Sequence, residues 1–187
     1  MPADDKRLAS WNAMMLEALT LAADRDTRFA ERARQLYQRI RELFVIDDTL
    51  IRFAGNADIA DAVFEDYAYT AHAFMHYGRR FDDAGAIELA RRLAERAHRD
   101  FLKQGRWQAK AQPLIPIAGG KWVVEDLVFF SPMTLWLRVA LSLPKLDPGV
   151  RASATDMLQR VTGEMIDRPY YYGSFISLRA SNPGLSK

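Results

Sequence analysis

The sequence lacks several features, and each absence excludes a class of protein. It contains no cysteine, which excludes disulfides, thiolate metal sites and thiol redox chemistry within this chain. The apolar stretch AMMLEALTLAA near its start is too short to span a bilayer and is interrupted by Glu17. P-loop, G-x-G-x-x-G, G-x-S-x-G and EF-hand patterns are also missing. We therefore expect no cofactor, no metal ion and no membrane partner.

The charge pattern is equally plain. The 26 basic and 24 acidic residues are mixed along 187 positions, and no block of one sign suggests a nucleic-acid partner. The first residues, MPADDKRLASWN, lack the basic start and apolar run of a signal peptide. The sequence therefore predicts a soluble, cytoplasmic protein that is long enough for one domain with a substantial core.

Helical periodicity dominates what is present. Around residues 29–44, 86–101 and 150–165, apolar residues recur every three to four positions and form a single stripe, which is typical of helices with one wet side. The segments that precede them, 8–23, 63–80 and 130–143, are apolar or small on most faces, which is typical of helices covered on several sides. The predicted fold class is all-α, with inner and outer helices alternating.

An acidic position repeats along the chain. Asp5, Asp66 and Asp126 are about 60 residues apart, and each lies at or just before an inner helix. Such helical hairpins are the unit of (α/α) toroids. We expect a single domain over residues 1–187 with about six to seven helices forming part of a toroid. Its hairpins are predicted at about 5–46, 63–104 and 126–166, with a partial last helix at 173–179.

Three motifs resemble one known family. DDKRLASWNAMM resembles the DDK-x-L-x-x-WN-x-x-M segment of thioredoxin-domain proteins that include the spermatogenesis-associated protein, and FEDYAY resembles their LEDYAF segment. IAGGKWVVEDLVFFSPMT is similar to their D-x-x-x-P-S-G-N segment. The resemblance covers nearly the whole chain. It implies the later part of an (α/α)6 barrel, similar to six-hairpin glycosidases and N-acylglucosamine 2-epimerases, without an assigned activity.

Acids at the starts of inner helices converge at one end of a toroid. Glycoside hydrolysis requires a pair of carboxylates. Acids in a first turn also cap free N–H groups and complement the helix dipole, so a purely structural role stays open. The catalytic candidates are Asp5, Glu65, Asp66 and Asp126.

Polar and aromatic residues near the same end are ligand-binding candidates. His72 and His76 are one helical turn apart with Glu65 on the same face, a spacing that zinc can use, but structural histidines are the preferred interpretation. The aromatic residues fit either a sugar-stacking surface or the core. The candidates are Lys6, Trp11, Asn12, Tyr67, Tyr69, His72, His76, Trp122 and Ser131.

Two functions stay open. The first is a carbohydrate-binding or carbohydrate-modifying toroid segment that takes a small sugar through carboxylates at the inner-helix N-termini. The second is a non-catalytic interaction or scaffold module, a remnant or fragment of a larger thioredoxin-domain family protein. Ser131, Pro132 and Met133 replace the family's Ser-Gly-Asn, which favours the second. Because an open arc exposes apolar flanks, we expect a homo-oligomer or packing against missing parts of a parent chain.

Overall fold

Helices make up most of the structure. The computed structural model describes residues 7–54, 61–111, 124–126 and 129–182, so Asp5, Lys6 and Trp122 lie outside the described residues. A short 3-10 turn at Pro169–Tyr171 precedes the last helix. The helices in the described residues are α1 (Ala9–Ala22), α2 (Thr27–Phe44), α3 (Phe64–Phe81), α4 (Ala84–Phe101), α5 (Pro132–Ser142), α6 (Pro148–Asp167) and α7 (Gly173–Ala180).

In the described part of the chain, six two-residue strands pair as three small antiparallel ladders. β1 pairs with β4, β2 with β3, and β5 with β6. The β1–β4 ladder ties the start of α1 to the segment that leads into α3, and the other two ladders follow α2 and α4 directly. The strands are β1 (Arg7–Leu8), β2 (Val45–Ile46), β3 (Thr49–Leu50), β4 (Phe53–Ala54), β5 (Leu102–Lys103) and β6 (Arg106–Trp107).

The helices form two layers. α1, α3 and α5 pack side by side, with α3 in the middle, and α2, α4 and α6 pack behind them as the second half of each hairpin. α7 contacts both α5 and α6. The all-α prediction is confirmed. Within the described residues, no helix combines the length and the hydropathy that crossing a bilayer requires.

The second-layer helices begin where an aspartate caps them. Asp26 accepts a hydrogen bond from the backbone N of Arg28 (2.8 Å), and Asp83 accepts one from the backbone N of Ala86 (2.9 Å). Asp147 does the same for α6, with its Oδ1 2.8 Å from the backbone N of Gly149. Each side chain satisfies an N–H that the helix itself leaves free.

The middle helix α3 is buried along nearly its whole length, whereas α1 is not. The α4 side of α3 contains small residues, and a Cβ added at Gly78 would lie 2.8 Å from the side chain of Ile87. α1 instead exposes large apolar side chains, with Trp11 61% and Leu21 58% exposed. The prediction that inner helices are covered on most faces therefore describes α3, but it does not describe α1.

Candidate functional site

Four side chains form a row on one face of α3. Glu65, Tyr69, His72 and His76 follow at steps of three to four residues and share one stripe of the helix. The opposite face packs on α4, where the ring of Tyr67 lies 5.5 Å from that of Phe101. The row therefore faces away from the second layer, on the side where a toroid has its centre.

Glu17 of α1 lies against the histidine end of this row. Its Oε2 is 3.0 Å from Nδ1 of His72, and its Oε1 is 3.7 Å from Nδ1 of His76. The two imidazole rings are 4.3 Å apart between centroids. The carboxylate thus bridges two histidines from a neighbouring helix.

Burial and charge set the protonation of this cluster. Burial and the neighbouring His72 lower the pKa of His76 to about 4, although the charge of Glu17 opposes that shift. Burial raises the pKa of Glu17, but the hydrogen bond and charge of His72 and the charge of His76 outweigh it, so the net pKa is lowered. At neutral pH the cluster pairs an ionised carboxylate with a neutral His76.

Glu65 occupies the other end of the row. It is half-buried, and its carboxylate accepts no hydrogen bond from the described residues. Burial raises the pKa of Glu65, the adjacent charge of Asp66 raises it further, and Arg52 opposes the shift. Glu65 is therefore a carboxyl group with a raised pKa and free hydrogen-bonding capacity.

Tyr69 connects the row to the segment before α5. Its hydroxyl donates a hydrogen bond to the backbone O of Phe130 (2.7 Å). Burial is the main cause that raises the pKa of Tyr69, and the nearby carboxylates of Glu65, Asp126 and Glu17 add to it. The hydroxyl is therefore a neutral donor at physiological pH.

Asp66 points away from the row and serves as an anchor. It is 0% exposed, and its carboxylate accepts hydrogen bonds from the backbone N of Val63 (3.0 Å) and of Ser10 (3.3 Å). Arg52 lies 3.8 Å away. Burial is the main cause that raises the pKa of Asp66. This acid caps α3 and ties α1 to it.

Asp126 is also a structural anchor, in the segment before α5. Its carboxylate accepts bonds from the backbone N of Ser131 (2.7 Å), the backbone N of Ser174 (2.7 Å) and the hydroxyl of Ser174 (2.6 Å). The Ser131 hydroxyl in turn accepts a bond from the backbone N of Thr134 (3.3 Å) and caps α5. Asp126 thus joins the starts of α5 and α7.

The remaining ligand candidates are spread over other surfaces. The Tyr67 hydroxyl accepts a hydrogen bond from the backbone N of Leu50 (3.1 Å) on the α4 side of α3. Asn12 donates to the backbone O of Leu8 (2.8 Å), the residue just before its own helix. Trp11 is exposed on α1. The structure brings Glu65, Tyr69, His72 and His76 together in one row, and Asp126 lies near the Tyr69 part of it. Trp11, Asn12 and Tyr67 have other surroundings.

The sequence pattern does not single out Glu17. It points to Glu65 as the carboxylate that could join the histidines, yet Glu17 of the neighbouring helix occupies that place. The available signal was an acid within an otherwise apolar stretch of α1, since a charge in such a place usually has a partner.

A groove also lies on the second layer. It has a volume of about 470 Å³ and lies between the β5–β6 ladder and α6. No described candidate residue lines it. Its walls are formed by Leu102, Gly105, Arg106, Trp107, Val124, Ser153, Asp156, Met157, Arg160, Val161 and Glu164.

Comparisons with known proteins place the fold. No protein-family model and no curated protein sequence matches the chain. Among solved structures, the unsaturated glucuronyl hydrolase from Bacillus sp. GL1, responsible for the degradation of glycosaminoglycan, is similar with a TM-score of 0.59 and 17% identity. A second solved structure, a variant of an unsaturated glucuronyl hydrolase with dGlcA-Glc-Rha-Glc, gives a TM-score of 0.58 and 15% identity. Each alignment covers 85% of this chain and 48% of the other.

These similarities concern the fold. The structural neighbours have an (α/α)6 barrel of the six-hairpin glycosidase-like type, and this chain spans about half of their length. The predicted fold class, helical hairpins that form part of an (α/α) toroid, is confirmed. The resemblance to thioredoxin-domain proteins stays a prediction.

Proposed function

We propose that this chain is a segment of an (α/α) toroid that binds or modifies carbohydrates. Glu65 is the central residue of its sugar-binding site. The observation that carries the proposal is the environment of the Glu65 carboxyl group. It is a half-buried carboxyl group with a raised pKa and no hydrogen bond to the described residues. The similarity to glycosaminoglycan-degrading hydrolases supports a sugar as its ligand.

The chemistry of glycoside hydrolysis explains why Glu65 is preferred. The general acid must carry the proton that it gives to the leaving oxygen, and burial shifts the pKa of Glu65 upward, which is the direction that this role needs. Asp66 and Asp126 use their carboxylates to hold backbone N–H groups, so neither is available to a substrate in this arrangement. Glu65 is therefore assigned as the acid, with the neutral Tyr69 hydroxyl next along the row.

A complete hydrolytic site needs a second carboxylate. The described residues offer no second acid of this kind near Glu65, because Glu17 is engaged with His72. Asp5 and residues supplied by a larger assembly are the remaining sources. The chain by itself is therefore expected to bind a sugar, and turnover is expected only where the second acid is present.

Calorimetric titration tests the proposal. We expect the protein to bind an unsaturated glucuronyl disaccharide from glycosaminoglycan and to bind cellobiose more weakly. Glu65→Ala should weaken the affinity for the unsaturated disaccharide about tenfold. This change corresponds to the loss of one hydrogen bond of about 1.4 kcal/mol. Glu42→Ala, the same change on exposed α2, is the control and should leave binding unaltered. Equal binding by the Glu65 variant and wild type would refute the assignment.

A second function is supported by a different observation. Two of the four predicted acids are anchors for helix starts, as expected for a non-catalytic scaffold module derived from a larger thioredoxin-domain family protein. The same titration separates the two functions. A folded protein that binds neither disaccharide favours the scaffold.

A further inference from the structure

We propose that Glu17, His72 and His76 form a zinc-binding site between α1 and α3. One ligand atom from each residue lies within 4.8 Å of the other two. The site is independent of the proposed carbohydrate function, since it uses neither Glu65 nor any sugar.

The distances suit a small divalent cation. Zinc binds histidine nitrogen and carboxylate oxygen at about 2.0–2.2 Å with tetrahedral geometry, which puts neighbouring ligand atoms about 3.3–3.6 Å apart. The carboxylate oxygens of Glu17 lie 3.0 Å and 3.7 Å from the two Nδ1 atoms. Because the three ligand atoms lie within 4.8 Å of one another, shifts of about an ångström or less bring them to the spacing of a coordination shell.

The two helices hold the ligands in place before a cation arrives. His72 and His76 are i and i+4 on the buried helix α3, so both imidazoles project from one face. Glu17 comes from α1, whose start is fixed to α3 by the bond from Ser10 to Asp66. A site on packed helices is more precise than one on loops.

The cluster is open to solvent on one side. The side chains of His76 and Glu17 are 33% and 24% exposed. A cation would therefore be reached from solvent and would retain an open position, as zinc with three protein ligands does.

The nearest arginines do not occupy the site. Arg138 is turned toward α7, where its guanidinium donates to the backbone O of Ser174 (3.4 Å) and to the hydroxyl of Ser177 (3.2 Å). Arg79 donates to the backbone O of Ser142 (3.2 Å). The carboxylate of Glu17 is therefore the charged group closest to the two imidazoles.

The amino-acid composition favours a zinc-binding experiment. The chain has three histidines and no cysteine, so competing high-affinity zinc sites are few. The third histidine, His98, lies on α4 and contacts the Ser153 hydroxyl at 2.8 Å. His98→Gln is therefore the matched control.

Equilibrium dialysis of the tag-free protein against Zn²⁺, followed by elemental analysis, tests the site. Wild type and His98→Gln should each retain one equivalent of zinc. Glu17→Gln and His76→Gln should bind at least tenfold more weakly. Cobalt substitution should give the visible absorption of a tetrahedral site in wild type and not in these two variants.

Circular dichroism establishes that each variant is folded. Both substituted positions are partly exposed, so folding is expected to survive, and His72→Gln provides a third variant. Absence of zinc uptake by wild type would overturn the proposal. So would zinc uptake that is unchanged in Glu17→Gln and His76→Gln, or that is lost in His98→Gln.

Discussion

Two adjacent acids at the start of α3 have opposite environments. Successive residues on an α-helix are rotated by about 100°, so neighbours in sequence face different partners. Asp66 is turned into the junction with α1 and accepts two backbone N–H groups, whereas Glu65 joins the row toward the toroid centre. One dipeptide therefore supplies both an anchor and the proposed acid.

Alanine substitution should separate these two tasks. Asp66→Ala leaves the backbone N–H groups of Val63 and Ser10 without partners in a buried place, so the free energy of unfolding should fall by about 1–3 kcal/mol. Glu65→Ala removes a carboxyl group that accepts no hydrogen bond from the described residues, so no backbone N–H loses its partner and the loss should be below about 1 kcal/mol. Urea unfolding followed by circular dichroism gives both values. Equal losses would show that the anchor has been misassigned.

At the scale of elements, α3 depends on close approach to α4. Gly78 sits where any side chain would meet both the Ile87 side chain (2.8 Å) and the backbone O of Asp83 (2.9 Å). A contact with backbone cannot be relieved by a rotamer change. The helix pair is therefore fixed at this point by the absence of a side chain.

Two glycine-to-alanine changes test that packing. Gly78→Ala should lower the free energy of unfolding by about 1–3 kcal/mol, because the added methyl overpacks the α3–α4 contact. Gly163→Ala on α6, where nothing lies within 4 Å, should raise it by about 0.5–1 kcal/mol through helix propensity. Thermal unfolding of both variants measures the difference. A stabilised Gly78→Ala would contradict the packing described here.

The elements also show what the sequence could predict. The single apolar stripes of α2 and α4 and the Asp147 cap of α6 are local signals, and they were readable without coordinates. The pairing of Glu17 with His72 was not readable, because it depends on the register between α1 and α3. For the same reason, Asp66 and Asp126 could be read as catalytic acids or caps, and only their partners distinguish the two.

At the scale of the whole molecule, both edges of the layer expose apolar side chains. Trp11, Met15 and Leu21 are exposed on α1, and Tyr170 and Ile176 are exposed near α7. We therefore propose that a second copy covers these edges.

Light scattering on the purified protein checks this proposal. Wild type should have the mass of a dimer. Leu21→Lys places a charge on the exposed stripe of α1 and should shift the mass toward the monomer. Gln38→Lys, on the exposed face of α2, should not. A wild-type monomer would show that a second copy does not cover the edges.

The fold class was predictable because helical periodicity is present in every hairpin, whereas the completion of the toroid was not. The partner that covers an exposed stripe is not encoded in the local pattern of α1. The apolar pattern of α1 predicts an inner helix in either case, whether a second copy or other sequence packs against it.

Chemical-shift mapping tests the central claim that the row on α3 faces the ligand. Titration of isotope-labelled protein with an unsaturated glucuronyl disaccharide should shift the amide signals around Glu65, Tyr69 and the start of α5, and leave those of α2 and the exposed face of α4 in place. Shifts confined to the groove beside α6, or no shifts at all, would contradict the account.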